Sequence, residues 1–323
     1  MSLRVLLYFV SAILFALSTE EAIQVGGQIP EKASSELLAR INASPVLPFK
    51  GVHFAAQPLT AGWESGAVSG VAVDIKGTIY EIQRGEKAEP VIVLDRNGTI
   101  VRSWGKGDFK IPHSIRIDPA GNVWTVDAAS STVIKYSPLG KKLMTITVGE
   151  QPDNGSPFDG TTDVAFGPNG HIFITDGYGN ARVLEYTAEG MRLRQWGELG
   201  TVPGAFNLPH AIQVTNKGII FVADRENGRI EKFDLYGNFL GEIAHLGRVY
   251  SFKLTDGALW ASMGPFDQPP GSPCWIVKLD PQSGKILGHI DVPEDRGGHS
   301  LEVMPSGEPL ITLGNELLWF KKQ

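Results

Sequence analysis

The fold is decided by the stretch GVAVDIKGTIYEI, residues 70–82, because its pattern recurs along the chain. A short apolar strand leads into a turn that ends in glycine, and a second strand rich in β-branched and aromatic residues follows. The later copies are SIRIDPAGNVWTV (114–126), DVAFGPNGHIFIT (163–175), AIQVTNKGIIFVA (211–223), FKLTDGALWAS (252–262) and LEVMPSGEPLIT (301–312). Their turn glycines are Gly77, Gly121, Gly170, Gly218, Gly257 and Gly307, with spacings of 44, 49, 48, 39 and 50. Six copies at this period indicate a repeat architecture.

Each unit continues with further strands after the hairpin, such as VIKYSP (133–138), IEKFDL (230–235) and LRQWG (193–197). Four short strands per unit predict an all-β fold, a six-bladed β-propeller, because one small sheet cannot bury both faces until neighbours pack around a ring. The last unit ends at Gln323 after three strands, so we expect VLPFKGVHFAA (46–56) to supply the fourth and close the ring. A solenoid with free ends is the alternative, but it gives no reason for the short last unit.

The composition excludes several classes of protein. Of the 323 residues, 42% are hydrophobic and 20% are charged, as in an ordinary globular protein. The net charge is −6 with no basic stripe, which argues against a nucleic-acid partner. The single cysteine, Cys274, cannot form an intrachain disulfide, so a bound metal must use His, Asp or Glu ligands. We expect a monomer that binds a small molecule or a peptide.

The N-terminus has the pattern of a secretory signal peptide. Arg4 precedes an apolar run from Val5 to Leu17, and small residues follow before an acidic stretch. We therefore predict a signal peptide over residues 1–22, a poorly structured linker over 23–45 and the propeller over 46–323. The apolar run is short for a membrane span. Export without a membrane anchor is the prediction, and an uncleaved N-terminal anchor is the alternative.

Aligning the units on their turn glycines predicts a metal site. Eight residues before the glycine, the units carry Ser69, His113, Thr162, His210, Val249 (Tyr250 if the fifth unit slips by one) and His299. In a propeller the first strand of each blade lines the central channel, so histidines in alternate blades point inward at one depth with three-fold symmetry. Three imidazoles of this kind form an open tetrahedral site, for which zinc is the first choice. The alternative is that they only fill the channel.

The remaining histidines fall outside this column. They are predicted to be surface or loop residues: His53, His171, His245 and His289.

The returning strand reaches the same rim seven or eight residues after the glycine. It places Arg84, Tyr178 and Arg225 there. Arginine suits a carboxylate ligand, and positive charge around a phenol makes a phenolate base more accessible. These three residues interrupt the repeat, which favours a functional role. The recurring aspartates Asp127, Asp176 and Asp224 are instead predicted to hydrogen-bond within their turns.

The motifs at these positions resemble a known family. The repeats look like NHL repeats, and the segments IPH (111–113), DGYGNAR (176–182), LPHAI (208–212) and ADRENGRI (223–230) are similar to those of the peptidyl-α-hydroxyglycine α-amidating lyases. The resemblance covers about residues 65–320. It implies cleavage of a peptidyl-α-hydroxyglycine to a peptide amide and glyoxylate. By resemblance, His113, His210 and His299 bind zinc, Tyr178 and Arg84 are catalytic, and Arg84 and Arg225 bind substrate.

The chain also departs from the pattern of this family. Gly179 stands where the family has a cysteine, and Cys274 is the only cysteine of the chain. The resemblance implies a structural calcium bound by the backbone carbonyls of Val71 and Ile115 and by an aspartate. Ser300 occupies the position of that aspartate. This departure weakens the expectation of a calcium site.

Three function classes follow from these patterns. In the first, a zinc-dependent lyase, Tyr178 removes the proton of the substrate hydroxyl while an arginine binds the carboxylate. The second is another metal-dependent propeller enzyme, such as a lactonase-like hydrolase. The third is a non-catalytic NHL-repeat scaffold. Neither alternative accounts for three histidines at one depth of the channel as well as the lyase does.

Overall fold

A computed structural model describes residues 31–58, 60–152, 155–255, 257–266, 274–292 and 297–323. The predicted signal peptide, residues 1–22, lies outside these ranges, so export stays a prediction. Among the described residues, no helix is both long and apolar enough to cross a membrane.

The described strands form six antiparallel sheets of four strands each, which we call blades 1 to 6. Blade 1 is formed by β2 (Val68–Val73), β3 (Ile79–Gln83), β4 (Val91–Leu94) and β5 (Ile100–Trp104). Blade 2 is formed by β6 (Pro112–Ile117), β7 (Val123–Asp127), β8 (Thr132–Tyr136) and β9 (Lys142–Thr147). Blade 3 is formed by β10 (Asp163–Phe166), β11 (Ile172–Asp176), β12 (Arg182–Tyr186) and β13 (Arg192–Trp196). Blade 4 is formed by β14 (Pro209–Val214), β15 (Ile220–Asp224), β16 (Arg229–Phe233) and β17 (Phe239–Ile243). Blade 5 is formed by β18 (Arg248–Thr255), β19 (Ala258–Gly264), β20 (Cys274–Leu279) and β21 (Ile286–Val292). Blade 6 combines β22 (Gly297–Val303), β23 (Pro309–Leu313) and β24 (Glu316–Lys322) with β1 (Phe49–Phe54) from the N-terminal end.

The six predicted turn glycines all adopt a left-handed backbone. Their φ angles lie between 76° and 85°, a region that residues with a Cβ atom rarely occupy. In blade 1, Gly77 donates its amide to the carbonyl of Asp74, whose carboxylate accepts the amides of Lys76 and Thr78. The glycine spacing in the sequence therefore reports the register of the inner hairpins, and the prediction of a six-bladed all-β propeller is confirmed.

The ring closes as predicted, with the N-terminal strand in the last blade. Strand β1 pairs antiparallel with β24, from Phe49 opposite Lys322 to Phe54 opposite Leu317. The six main hydrophobic clusters each lie between two neighbouring blades. Each sheet therefore buries both faces only because the ring is complete.

The prediction of a poorly structured linker over 23–45 is wrong for its C-terminal part. Residues Glu31–Asn42 form the helix α1, whose Leu37 and Ile41 are buried against blades 4 and 5. Arg40 donates to the carbonyls of His245 and Gly284. An amphipathic helix is stabilised here by apolar surface that the sequence alone does not reveal.

The prediction that His289 is a surface or loop residue is also wrong. His289 lies in β21 and is only 4% exposed. The segment after α1 covers it: Ser44 Oγ lies 2.8 Å from His289 Nδ1, and the amide of Leu47 donates to the His289 carbonyl. The N-terminal segment thus buries His289, although His289 lies in β21, the outermost strand of blade 5.

A buried carboxyl group lies at the junction of blades 6 and 1. Glu81 of β3 is 1% exposed and shares a strand face with Ile79, which packs in that junction. Neither carboxyl oxygen has a hydrogen-bond partner among the described residues. Burial raises the pKa of Glu81 to about 8.

We expect Glu81→Gln to remove a loss of stability that the wild type shows between about pH 4.5 and pH 8. The raised pKa means that the folded chain holds this proton up to about pH 8, whereas the unfolded chain releases it near pH 4.5. Folded-state stability therefore falls as the pH rises through this window, by on the order of 5 kcal/mol for this group. Urea unfolding of both forms across the window measures the difference. Glu86→Gln, an exposed change in the same blade, should keep the wild-type pH dependence. Parallel curves for Glu81→Gln and wild type would contradict the assignment.

Candidate metal centre

In five of the six blades, the channel-facing residue of the predicted column lies at an irregularity in the first strand. In blade 3 it is Thr162, which directly precedes the regular strand β10. In β6, Pro112 pairs with Asp127 and Ser114 with Val126, so His113 is the extra residue of a β-bulge. Strand β14 has the same arrangement around His210. Bulges re-aim a side chain without ending the strand. They turn these residues out of the blade and toward the central channel.

The fifth blade resolves the ambiguity between Val249 and Tyr250. The bulge in β18 lies between Val249 and Ser251, so Tyr250 is the channel residue. Val249 is fully buried in the core between blades 4 and 5. The fifth unit has a tighter inner turn, in which Thr255 pairs with Ala258, and this shifts the column by one residue.

The three predicted histidines meet in the channel. Ring centroids of His113, His210 and His299 lie 4.8 to 5.0 Å apart, and the rings stand edge to face. One ligand atom from each lies within 4.8 Å of the others, which makes a group able to hold a metal ion. His113 and His210 are 1% and 2% exposed.

Backbone carbonyls of the neighbouring blades fix the three imidazoles. The Nδ1 atoms of His113, His210 and His299 donate to the carbonyls of Thr162, Tyr250 and Ser69, respectively, at 2.5 to 2.7 Å. These acceptors are the channel residues of the next blade in each case. A proton on Nδ1 leaves the Nε2 lone pair for a metal. The sheet register therefore sets both the tautomer and the direction of the ligand atoms.

The environment keeps two of these imidazoles neutral. Burial, and then the positive charges of His299 and Arg84, holds the pKa of His113 well below its usual value. Burial, followed by the charges of Arg225 and His113, does the same for the pKa of His210. Neutral imidazole is the form that binds a metal. The donor set, three nitrogen atoms and no thiolate, suits zinc.

Tyr178 lies directly against this ring of histidines. Its hydroxyl oxygen is 3.1 Å from His113 Nε2 and 3.2 Å from His210 Nε2. Glycines on either side permit this position: a Cβ atom on Gly177 would lie 2.2 Å from the carbonyl oxygen of Pro209, and one on Gly179 would lie 2.0 Å from that of Asp159. A cysteine at position 179 would therefore require the backbone of Asp159 to move, which is consistent with glycine at this position in the present chain.

The two predicted arginines occupy different environments. Arg84 is exposed at the rim, where its Nε donates to the carbonyl of Pro112. Arg225 is 2% exposed, and its Nε donates to Glu226. Its guanidinium also lies 5.5 Å from the ring centre of Tyr250. Arg84 is thus placed to meet an entering ligand, whereas Arg225 contributes a buried positive charge beside the histidines.

Phe158 lies between two predicted site residues, although the repeat pattern does not predict it. Its ring centroid is 5.3 Å from that of Tyr178, and the Arg84 guanidinium lies 5.2 Å from it. Phe158 belongs to the connection between blades 2 and 3, outside the repeated pattern. The aromatic residue in a long Gly- and Pro-containing connection was the available signal.

The three recurring aspartates are structural, as predicted. Asp127 accepts the amides of Lys110 and Ile111, just before His113. Asp224 accepts the amide of Asn207, just before His210. The carboxylate of Asp176 accepts hydrogen bonds from the side chains of Arg182, Gln151 and Asn180. These carboxylates hold the segments that enter the channel strands.

The residues implied for calcium do not form a calcium site in this arrangement. Ser300 Oγ accepts the amide of Val71 at 3.2 Å. Nη1 of Arg116 donates to the carbonyl of Ile115 at 3.2 Å, so a cationic group already lies against that oxygen. Calcium requires several oxygen ligands, usually with carboxylates among them, and these residues supply no carboxylate.

Comparisons with known proteins find sequences that are similar to this chain. A family model of the NHL repeat matches residues 206–233. A probable peptidyl-alpha-hydroxyglycine alpha-amidating lyase of Caenorhabditis elegans is 32% identical over 259 residues, which are 69% of this chain and 73% of that protein. Peptidyl-glycine alpha-amidating monooxygenase of Mus musculus is 32% identical over 273 residues, 71% of this chain. The aligned region is only 28% of the mouse protein.

Solved structures support the fold alone. A structure titled streptogramin B lyase superposes with a TM-score of 0.61 at 17% identity, covering 85% of this chain and 98% of that one. At this identity the likeness concerns the propeller and not the chemistry.

Proposed function

Because this chain belongs to the peptidyl-α-hydroxyglycine α-amidating lyase family, we propose that it cleaves an N-acyl-α-hydroxyglycine, such as a peptidyl-α-hydroxyglycine, to an amide and glyoxylate. The observation that carries the proposal is the contact of the Tyr178 hydroxyl with Nε2 of His113 and His210. A proton acceptor thus lies beside two of the three nitrogen atoms of the proposed metal centre.

We propose zinc as the metal, bound by His113, His210 and His299. The support is the donor set, whose ligand atoms lie within 4.8 Å of one another, and the Nδ1 hydrogen bonds, which leave the three Nε2 atoms available to a metal. When bound, zinc would act as a Lewis acid on an oxygen of the substrate. The remaining steps rest on residues of the chain.

The proposed reaction is a proton transfer coupled to bond cleavage. Arg84 binds the substrate carboxylate at the rim, and the buried charge of Arg225 favours the anionic substrate. Tyr178, as the phenolate, removes the proton of the α-hydroxyl group. The carbonyl of glyoxylate forms as the carbon–nitrogen bond breaks, and Tyr178 returns the proton to the leaving amide nitrogen. One proton moves from oxygen to nitrogen, so no water is consumed.

An assay of glyoxylate release tests this function directly. The purified protein is incubated with N-benzoyl-α-hydroxyglycine, with and without prior removal of metal by a chelator. We expect glyoxylate and benzamide in equal amounts from the untreated protein, loss of activity after chelation and recovery with zinc. Intact substrate in every sample would reject the lyase proposal and leave a lactonase-like hydrolase or a non-catalytic scaffold in its place.

Arg84→Ala should raise KM roughly 10-fold or more for the acid substrate with a smaller effect on kcat, because an exposed guanidinium binds the ground-state carboxylate. The methyl ester of the same substrate lacks that charge and should bind the variant and the wild type about equally. Arg96→Ala, which removes an exposed arginine elsewhere in blade 1, is the matched control. An equal rise in KM for acid and ester would show that Arg84 does not act on the carboxylate.

A further inference from the structure

A single carboxylate lies in the layer of the channel directly beneath the histidines. In blades 2 to 6, the residues that directly follow the channel-facing residues line the same pocket: Ser114, Asp163, Ala211, Ser251 and Ser300. Among these five, only Asp163 is charged. The position on blade 6 to which the resemblance assigns an aspartate is Ser300, so the carboxylate of this layer is on blade 3 instead.

Asp163 joins three neighbouring blades. It is 1% exposed, and its Oδ1 accepts the hydroxyl of Ser114 in blade 2 at 3.0 Å. Its Oδ2 accepts Nη2 of Arg116, also in blade 2, at 2.7 Å, and the amide of Ile212 in blade 4 at 3.1 Å. A carboxylate this deeply buried needs a cation beside it. The Arg116 guanidinium supplies that cation.

Arg116 also contacts an oxygen that the resemblance assigns to calcium. Its side chain is 12% exposed and lines the pocket. While Nη2 binds Asp163, Nη1 donates to the carbonyl of Ile115. One guanidinium therefore connects the main chain of blade 2 with the carboxylate of blade 3. A divalent cation at the same oxygen would be repelled by this fixed positive charge.

We propose that the Arg116–Asp163 ion pair replaces a structural divalent cation, so that this chain holds its inner strands together without calcium. The guanidinium takes the place of the ion, and Asp163 takes the place of the carboxylate missing at Ser300. The inference concerns stability and calcium binding, and it holds whichever reaction the histidine site catalyses.

Thermal unfolding with added calcium is the first test. The protein is depleted of calcium, loaded with zinc and heated with millimolar calcium or with millimolar magnesium. We expect the same Tm in both and no calcium binding by calorimetry. A Tm that rises with calcium but not with magnesium would overturn the proposal.

Removal of the guanidinium is the second test. Arg116→Met keeps the side-chain length but leaves the buried Asp163 carboxylate without its cation, and we expect Tm to fall by on the order of 10 °C. Arg116→Met combined with Asp163→Asn removes both charges and should recover at least half of that loss. Lys253→Met is the matched control and should lower Tm by less, because Lys253, which pairs with Glu302 between blades 5 and 6, is 32% exposed against 12% for Arg116. An unchanged Tm for Arg116→Met, or no recovery in the double variant, would overturn the proposal.

A gain of calcium dependence is the third test. Arg116→Met combined with Ser300→Asp removes the guanidinium and introduces a carboxylate at the position to which the resemblance assigns one, next to the Val71 amide. We expect calcium, and not magnesium, to raise the Tm of this variant. The same response in the wild type, or none in the variant, would show that the guanidinium does not occupy the place of an ion.

Discussion

Tyr178→Phe is expected to lower kcat for glyoxylate release by roughly 10² to 10⁴-fold, which is the usual contribution of a positioned acid or base. The substitution removes only the hydroxyl group, and the oxygen of this group contacts His113 and His210. KM should change little, because the carboxylate contact resides at Arg84. In the proposed reaction Tyr178 both removes the proton of the α-hydroxyl group and returns it to the amide nitrogen, so the variant loses both proton transfers.

The zinc content of Tyr178→Phe should remain near one ion per chain, since its three ligands are intact. Tyr236→Phe, a phenol exposed on blade 4, is the control and should retain wild-type kcat. Full activity of Tyr178→Phe with zinc bound would remove the phenol from the mechanism and leave the histidine site to another base.

His210→Ala is expected to lose both the metal and the activity. Three ligands are the fewest that hold zinc in an open site, so the loss of one should reduce zinc per chain toward zero and kcat/KM by roughly 10³-fold or more. Elemental analysis and the glyoxylate assay measure the two effects on one preparation. Circular dichroism checks that the propeller still forms.

His53→Ala is the matched control for the ring of histidines. His53 lies in β1, where its Nδ1 is 2.7 Å from Glu316, away from the channel. We expect its zinc content and activity to match those of the wild type. Bound zinc in His210→Ala at the wild-type level would place the metal elsewhere in the molecule.

The repeat made much of this site predictable from the sequence. A turn glycine fixes the inner hairpin, and the bulges at His113 and His210 occur at the same distance from it. Side chains at one offset therefore reach one depth of the channel. The glycine offset left Val249 and Tyr250 as alternatives in blade 5, where the tighter turn places Tyr250 in the channel.

Other features depend on contacts between units and leave no periodic signal. Arg116 and Asp163 belong to different repeats, and only the curvature of the ring brings their charges together. Phe158 lies in a connection that has no counterpart in the other units. Helix α1 and the burial of His289 depend on where the N-terminal segment packs, which local propensity does not determine.

The closure of blade 6 by β1 also determines when the site can form. His299 lies in that blade, while His113 and His210 lie in blades formed from continuous chain. A nascent chain can complete blades 2 and 4 before its C-terminal strands exist, but the pairing of β1 with β24 joins the two ends of the sequence and is the most non-local contact of the fold. The third ligand is therefore positioned last, and a complete set of metal ligands is available only to a fully synthesised and closed chain.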